Sequence, residues 1–182
     1  MDDIVLNGVV TLLTTLVGVL VGGYLTYKVN IKSQEEIIKK EIILNKLDET
    51  KLCVSNFLRG IALIYLNLNG YARGNRDRET FIEEDNKGQE HVRVAISNLS
   101  LSRVYVEDIY DEIERCIDKY SELSNIIYDK YHFGTTIDKD SDIFMIICCE
   151  YERLLSDVKK VIEIIDENIK KEVKIQNNNR VV

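Results

Sequence analysis

A chain of 182 residues with a formal net charge of −7 can hold one folded domain with a real core, and is too short for two once its apolar N-terminal run is set aside. The acidic balance repels phosphate and argues against general nucleic-acid binding. Pro and Trp are absent and Gly numbers only nine, while Ile, Leu, Glu and Lys form an amphipathic alphabet, so the expected class is all-α.

From Ile4 to Tyr27 there is no ionised side chain. As a helix, at about 1.5 Å per residue, that run is long enough to cross a bilayer core of about 30 Å. Residues 1–28 are therefore expected to be a single transmembrane anchor. Met1-Asp2-Asp3 supplies no basic n-region and no small-residue cleavage site follows, so the segment reads as retained rather than as a signal peptide. Positive charge follows the run instead of preceding it, with Lys28, Lys32, Lys39, Lys40 and Lys46 against Glu35, Glu36 and Glu41. The positive-inside bias then puts the N-terminus outside and the remaining domain in the cytoplasm, as a single-pass protein of the cytoplasmic membrane. Tyr24 and Tyr27 fall where an interfacial aromatic belt belongs.

Within the run, Thr14, Gly18, Gly22 and Thr26 recur every four residues, with Thr11 one turn earlier and Gly23 alongside. Small residues at that spacing let two membrane helices approach backbone to backbone, which points to a homo-oligomer; Gly and Thr are also ordinary occupants of such helices. Asn7 and the Thr hydroxyls are available for bonds between helices or to local carbonyls.

Residues 29–175 are expected to be a cytoplasmic bundle of three or four helices. Ser33-Gln34-Glu35-Glu36 has capping-box order, so a helix can start there or continue unbroken from the anchor. Ile43, Leu47, Thr50, Val54, Phe57, Ile61, Ile64 and Leu68 step by four and three along one seam. The uncharged stretch Arg59–Leu68 is too short for a second crossing. Asn69-Gly70 is a helix-stop signal. The polar stretch Gly70–Gly88 is expected to be a loop, with a helical turn or two between Arg78 and Glu84, and Arg73, Arg76 and Arg78 are its candidate partner contacts.

A short helix should follow from about Gln89 to Leu99, with Val92, Ala95 or Ile96, and Leu99 on its apolar face, and a bend at Ser100-Leu101-Ser102. Val106, Ile109, Ile113, Cys116, Tyr120, Leu123 and Ile127 then step by three and four, as do Phe144, Ile147, Tyr151, Leu154, Val158, Val161 and Ile165. The linker between them, His132 to Ser141, contains Gly134. Two matching seams on a short connection predict a long antiparallel helical hairpin. Between Tyr105 and Asp142 acids outnumber bases by 11 to 4, so one face of this hairpin is strongly acidic. Residues 176–182 are expected to be a disordered tail.

Common catalytic patterns are missing. Cys53, Cys116, Cys148 and Cys149 form no C-x-x-C pair and have no His at zinc spacing, so they read as buried reduced thiols inside helices. Asp138-Lys139-Asp140-Ser141-Asp142 resembles the opening of an EF-hand loop, but Ile143 stands where Gly must turn and Cys149 where Glu must close the shell. Asp140, Ser141 or Asp142 is instead a ready helix N-cap. His91 and His132 belong to no H-E-x-x-H, no G-x-S-x-G or P-loop occurs, and the Arg–His spacing of HEPN-type ribonucleases is absent. Carboxylate pairs such as Asp108 with Asp111 and Glu112, or Glu114 with Asp118, lack the E-x-x-H partner of a ferritin-like site.

The layout from Ile4 to Ile165, a Thr/Gly-rich span, a charged helix and a Leu/Ile-rich bundle, looks like that of many single-span proteins of bacteria and their mobile elements. That likeness carries no diagnostic motif and implies no activity. The expected function is a membrane-tethered, non-catalytic adaptor or scaffold that self-associates and binds a protein partner, with no cofactor and no metal. The alternative is a membrane-perturbing effector of a defence or lysis type, whose anchor assembles through the Thr11, Thr14 and Thr15 stripe to permeabilise the bilayer. An enzyme would need a pocket that gathers His91 or His132 with a Cys or a carboxylate.

Overall fold

The structure, a computed structural model, describes residues 2–132 and 139–179. Four helices hold nearly all of them: α1 (Asp2–Ala72), α2 (Arg78–Ser102), α3 (Glu107–Ile127) and α4 (Asp142–Asn179). A 3-10 turn covers Arg103–Tyr105 and a π turn Tyr128–His132, and no strand occurs among the described residues. The chain is all-α. It divides into two compact units, Met1–Ile43 and Leu44–Val182, with the boundary inside α1.

The second unit is a helical bundle built on the seams that the apolar spacing predicts. On α1, Leu47, Thr50, Val54, Phe57, Ile61, Ile64 and Leu68 are buried, and Ile43 is half-buried. Every seam position from Val106 to Ile127 and from Phe144 to Ile165 is buried as well. Each large aliphatic or Phe side chain taken out of water contributes roughly 1.5–3 kcal/mol, so these seams are the main source of the fold's stability.

Three aromatic pairs fasten α1 to the other helices. Phe57 meets Tyr120 of α3 edge-on at 5.8 Å, Tyr65 stacks on Tyr151 of α4 at 5.8 Å, and Tyr71 stacks on Phe81 of α2 at 4.7 Å. Polar contacts set the direction of the pairing. Lys51 reaches Asp166 at 2.5 Å while Tyr65 donates to Glu152 at 2.7 Å, so α1 and α4 run in opposite directions. Likewise Lys119 pairs with Glu150 at 3.2 Å, while Glu112 shares a surface groove with Asp157, Lys160 and Ile164. Residues 133–138 of the linker between α3 and α4, including Gly134, lie outside the described residues.

α1 runs unbroken through Ser33–Glu36, one of the two courses that its capping-box order allows. Local signals depart from expectation in three places. Asn69-Gly70 does not end α1, which runs one turn further to Ala72. There Gly74, at φ 72°, donates to Tyr71 O at 2.9 Å and Asn75 donates to Gly70 O at 2.9 Å, a Schellman end in which the glycine takes the left-handed position. Gly70 is instead where Arg76 folds back, since a Cβ there would sit 3.1 Å from Arg76 Nε.

The expected loop from Gly70 to Gly88 shrinks to the turn 73–77, because Asp77 caps α2 by accepting from Thr80 N at 2.7 Å. The short helix expected at Gln89–Leu99 is thus one of 25 residues, buried along Phe81, Asp85, Gly88, Val92, Ala95, Leu99 and Ser102. A carboxylate and a glycine hold two core positions, which is why apolar spacing does not reveal the first half of α2. The bend expected at Ser100–Ser102 falls one step later, at the 3-10 turn. Arg103 there lies 4.8 Å from the centre of the Tyr110 ring. α4 continues through Asn179, and residues 180–182 of the tail lie outside the described residues.

Candidate functional site

The first unit carries the most conspicuous surface. From Thr14 to Lys39 every residue of α1 is exposed, and Leu16, Val19, Leu20 and Leu25 each show more than half of their side-chain area. A helix that is apolar on all sides belongs in a protein interior or in lipid. Among the described residues α1 is the one helix long and apolar enough to cross a membrane.

Its small residues form a slowly winding stripe, since a step of four advances about 40° around a helix of 3.6 residues per turn. A Cβ added at Gly18, Gly22 or Gly23 would meet nothing within 4 Å. Thr26 Oγ1 donates to Gly22 O at 2.8 Å, so this hydroxyl is satisfied inside its own helix. The side chain of Thr11 lies outside the described residues.

A second glycine pair lies in the bundle, where α1 crosses α2. A Cβ on Gly60 would stand 2.6 Å from Val92 Cγ2 and 3.2 Å from Gly88 O, and one on Gly88 would stand 2.6 Å from Ile64 Cγ1. The two backbones therefore touch, and a groove of about 810 Å³ opens along the flank of the crossing. Asn56 and Arg59 of α1 line it opposite Asn86, His91 and Asn98 of α2. Cys53 lines it too, so the groove gathers His91 with a thiol. Burial, reinforced by the nearby Glu49 charge, pushes the Cys53 thiol up, which keeps it protonated and poorly nucleophilic. The side chain of His132 lies outside the described residues.

The three arginines of the expected loop separate into two roles. Arg76 is half-buried and donates from Nη1 to Asn67 Oδ1 at 2.5 Å, while Asn67 Nδ2 donates to Phe81 O at 2.8 Å. This chain of bonds clasps the end of α1 to the start of α2. Arg73 and Arg78 are exposed on either side of it.

Below the crossing is a buried polar cluster that apolar spacing does not reveal. Asp85, fully buried, accepts from Gln89 Nε2 at 2.7 Å. Burial and the neighbouring Asp85 charge hold the Tyr120 phenol up to about 12, and burial with Tyr120 and Asp85 raises that of Tyr151 as well. Such surroundings favour neutral tyrosines.

Of the cysteines, Cys116 is buried and Cys53 and Cys148 are half-buried, all three thiols raised first by burial, while Cys149 is exposed, contrary to expectation. Ser141 caps α4, accepting from Phe144 N at 3.2 Å. Asp138 of the aspartate run lies outside the described residues, among which no group of three His, Cys, Asp or Glu stands ready to hold a metal.

No protein-family model, no curated protein and no solved structure matches this chain.

Proposed function

We propose that the protein is a membrane-tethered helical adaptor or scaffold that works by binding rather than by catalysis. Residues 1–28 anchor it as a single span, and copies associate through the stripe of Thr11, Thr14, Gly18, Gly22 and Thr26. The observation that carries this reading is the exposed, apolar and uncharged surface of α1 from Thr14 to Tyr27, with open space over each of its glycines. Lipid gives no hydrophobic drive between helices, so a small-residue face is what allows close packing there. The lysines that follow from Lys28 support an orientation with the bundle in the cytoplasm.

The experiment compares wild type with the Gly18→Leu, Gly22→Leu double variant by amine crosslinking in isolated membranes. Wild type should give dimers or larger species and the variant about tenfold less, the effect of losing about 1.4 kcal/mol of packing. Equal crosslinking of the two would remove self-association from the account.

A further inference from the structure

We propose that Asp85 is a proton-binding site in the core of the bundle: the packed helices hold its carboxyl as the neutral acid to about pH 6 or above, and its ionisation at higher pH loosens α2. The inference concerns the second unit alone and stands whether or not the protein is an adaptor.

Burial is the first observation. Among the described residues Asp85 is the one acid wholly withdrawn from solvent, on the face of α2 that carries Phe81, Gly88 and Val92 into the core. Gln89, one turn on, donates from Nε2 to Oδ2 at 2.7 Å, which leaves Oδ1 to carry the proton. A neutral acid with an amide partner suits such a place, whereas a carboxylate there forfeits its hydration.

The second is what the packed helices set against it. α3 and α4 bring Tyr120 and Tyr151, whose phenols both feel the Asp85 charge and keep their own protons until the solution is alkaline. α1 crosses with Gly60 at Gly88, and from Gly60 to Ala72 its sequence contains no charged residue. The two tyrosines of that stretch have other partners, Tyr65 donating to Glu152 and Tyr71 stacking on Phe81. Cations of the neighbouring turns hold acids at the surface: Lys87 pairs with Glu83 and Glu84, and Lys119 and Arg153 both pair with Glu150. Arg76 donates to Asn67, and Arg78 is exposed. The groups that α1, α3 and α4 set against Asp85 are thus neutral, and burial among neutral groups favours the acid over its anion.

In the unfolded chain Asp85 ionises at about pH 3.9. Below that value both states hold the proton. Above it the unfolded chain alone releases its proton, so stability falls with rising pH until the packed acid ionises as well. The surface acids Glu83, Glu90 and Glu150 act in the opposite sense, since hydrogen bonds from Lys87, Arg93 and Lys119 hold them below the usual carboxylate range. The contribution of Asp85 is therefore read as a difference between two proteins that share those acids.

The test is urea unfolding of the full-length protein in detergent micelles between pH 4 and 7, wild type against Asp85→Asn, whose amide keeps the shape of the neutral acid and cannot ionise. The folding equilibrium constant of Asp85→Asn should gain at least about tenfold on that of wild type between pH 4 and 6. A constant ratio across the range, or one that moves in favour of wild type, overturns the proposal. Infrared spectra of the wild-type protein keep the test decisive if Asp85→Asn does not fold. Folded protein at about pH 6 should show the C=O stretch of a protonated carboxyl that disappears on thermal unfolding. Absence of that band from the folded protein overturns the proposal as well.

Discussion

Two stretches of α1 use glycine on a helix surface, and they differ in what stands opposite. At Gly60 the space of a missing Cβ is taken by Val92 and the Gly88 carbonyl, whereas at Gly18 and Gly22 it is open. In the bundle the helix that a small residue admits belongs to the same chain. In the apolar stretch nothing among the described residues fills that position, and the surrounding surface is of the kind that lipid or another copy covers. Close helix approach stabilises the bundle in one region and leaves an exposed small-residue surface in the other.

The largest expected effect breaks the comparison from the bundle side. Gly60→Leu must displace backbone atoms, since even its Cβ would meet Val92 N at 3.1 Å and Gly88 O at 3.2 Å, and it should cost about 3 kcal/mol or prevent folding. Urea unfolding followed by circular dichroism in detergent reads this. Gly22→Leu should leave the same curve unmoved, and a wild-type curve for Gly60→Leu would refute the crossing.

Alkali gives a graded test confined to the bundle. The phenols of Tyr65 and Tyr120 are held up to about 12, first by burial, whereas an unfolded chain ionises its tyrosines near pH 10. Below about pH 10 both states keep the proton and stability does not change on this account. As pH rises from there through about 12 the unfolded state alone loses protons, so stability falls. Thermal melts between pH 8 and 12, with phenolate absorbance as the second readout, should show this loss, and a flat profile would contradict the burial of these rings.

The smallest effect has the opposite sign. Tyr151 is fully buried and its hydroxyl has no hydrogen-bond partner among the described residues, so Tyr151→Phe removes an unsatisfied polar atom while keeping the stacked ring. It should raise stability by about 1 kcal/mol in the same urea assay. A loss of that size would mean that the hydroxyl is engaged after all.

How much of this was legible in the residues follows from what each element asks of its side chains. The seams on α1, α3 and α4 are almost wholly apolar, so a step of three and four finds them, down to Thr50 and Cys116. α2 is the exception. Asp85 and Gly88 sit at core positions because one joins a polar cluster with Gln89 and the other lets α1 come close, and neither need has an apolar signature. The signal that was available is Asp77 with Thr80 three residues on, a cap that marks the start of α2. The clasp of Arg76 on Asn67 depends on two helices meeting, so residue spacing does not show it. The groove is invisible for the same reason, as Arg59 and Asn98 are far apart in the chain.

The central claim, that copies meet through the small-residue stripe in a membrane, is tested most directly by single cysteines along it. Gly18→Cys, Gly22→Cys and Leu20→Cys proteins would be oxidised in native membranes with a copper phenanthroline catalyst, with wild type as the control for the four native thiols. Disulfide dimers should form at Gly18→Cys and Gly22→Cys and stay at background for Leu20→Cys. Equal dimer at all three positions, or none at any, would contradict the account.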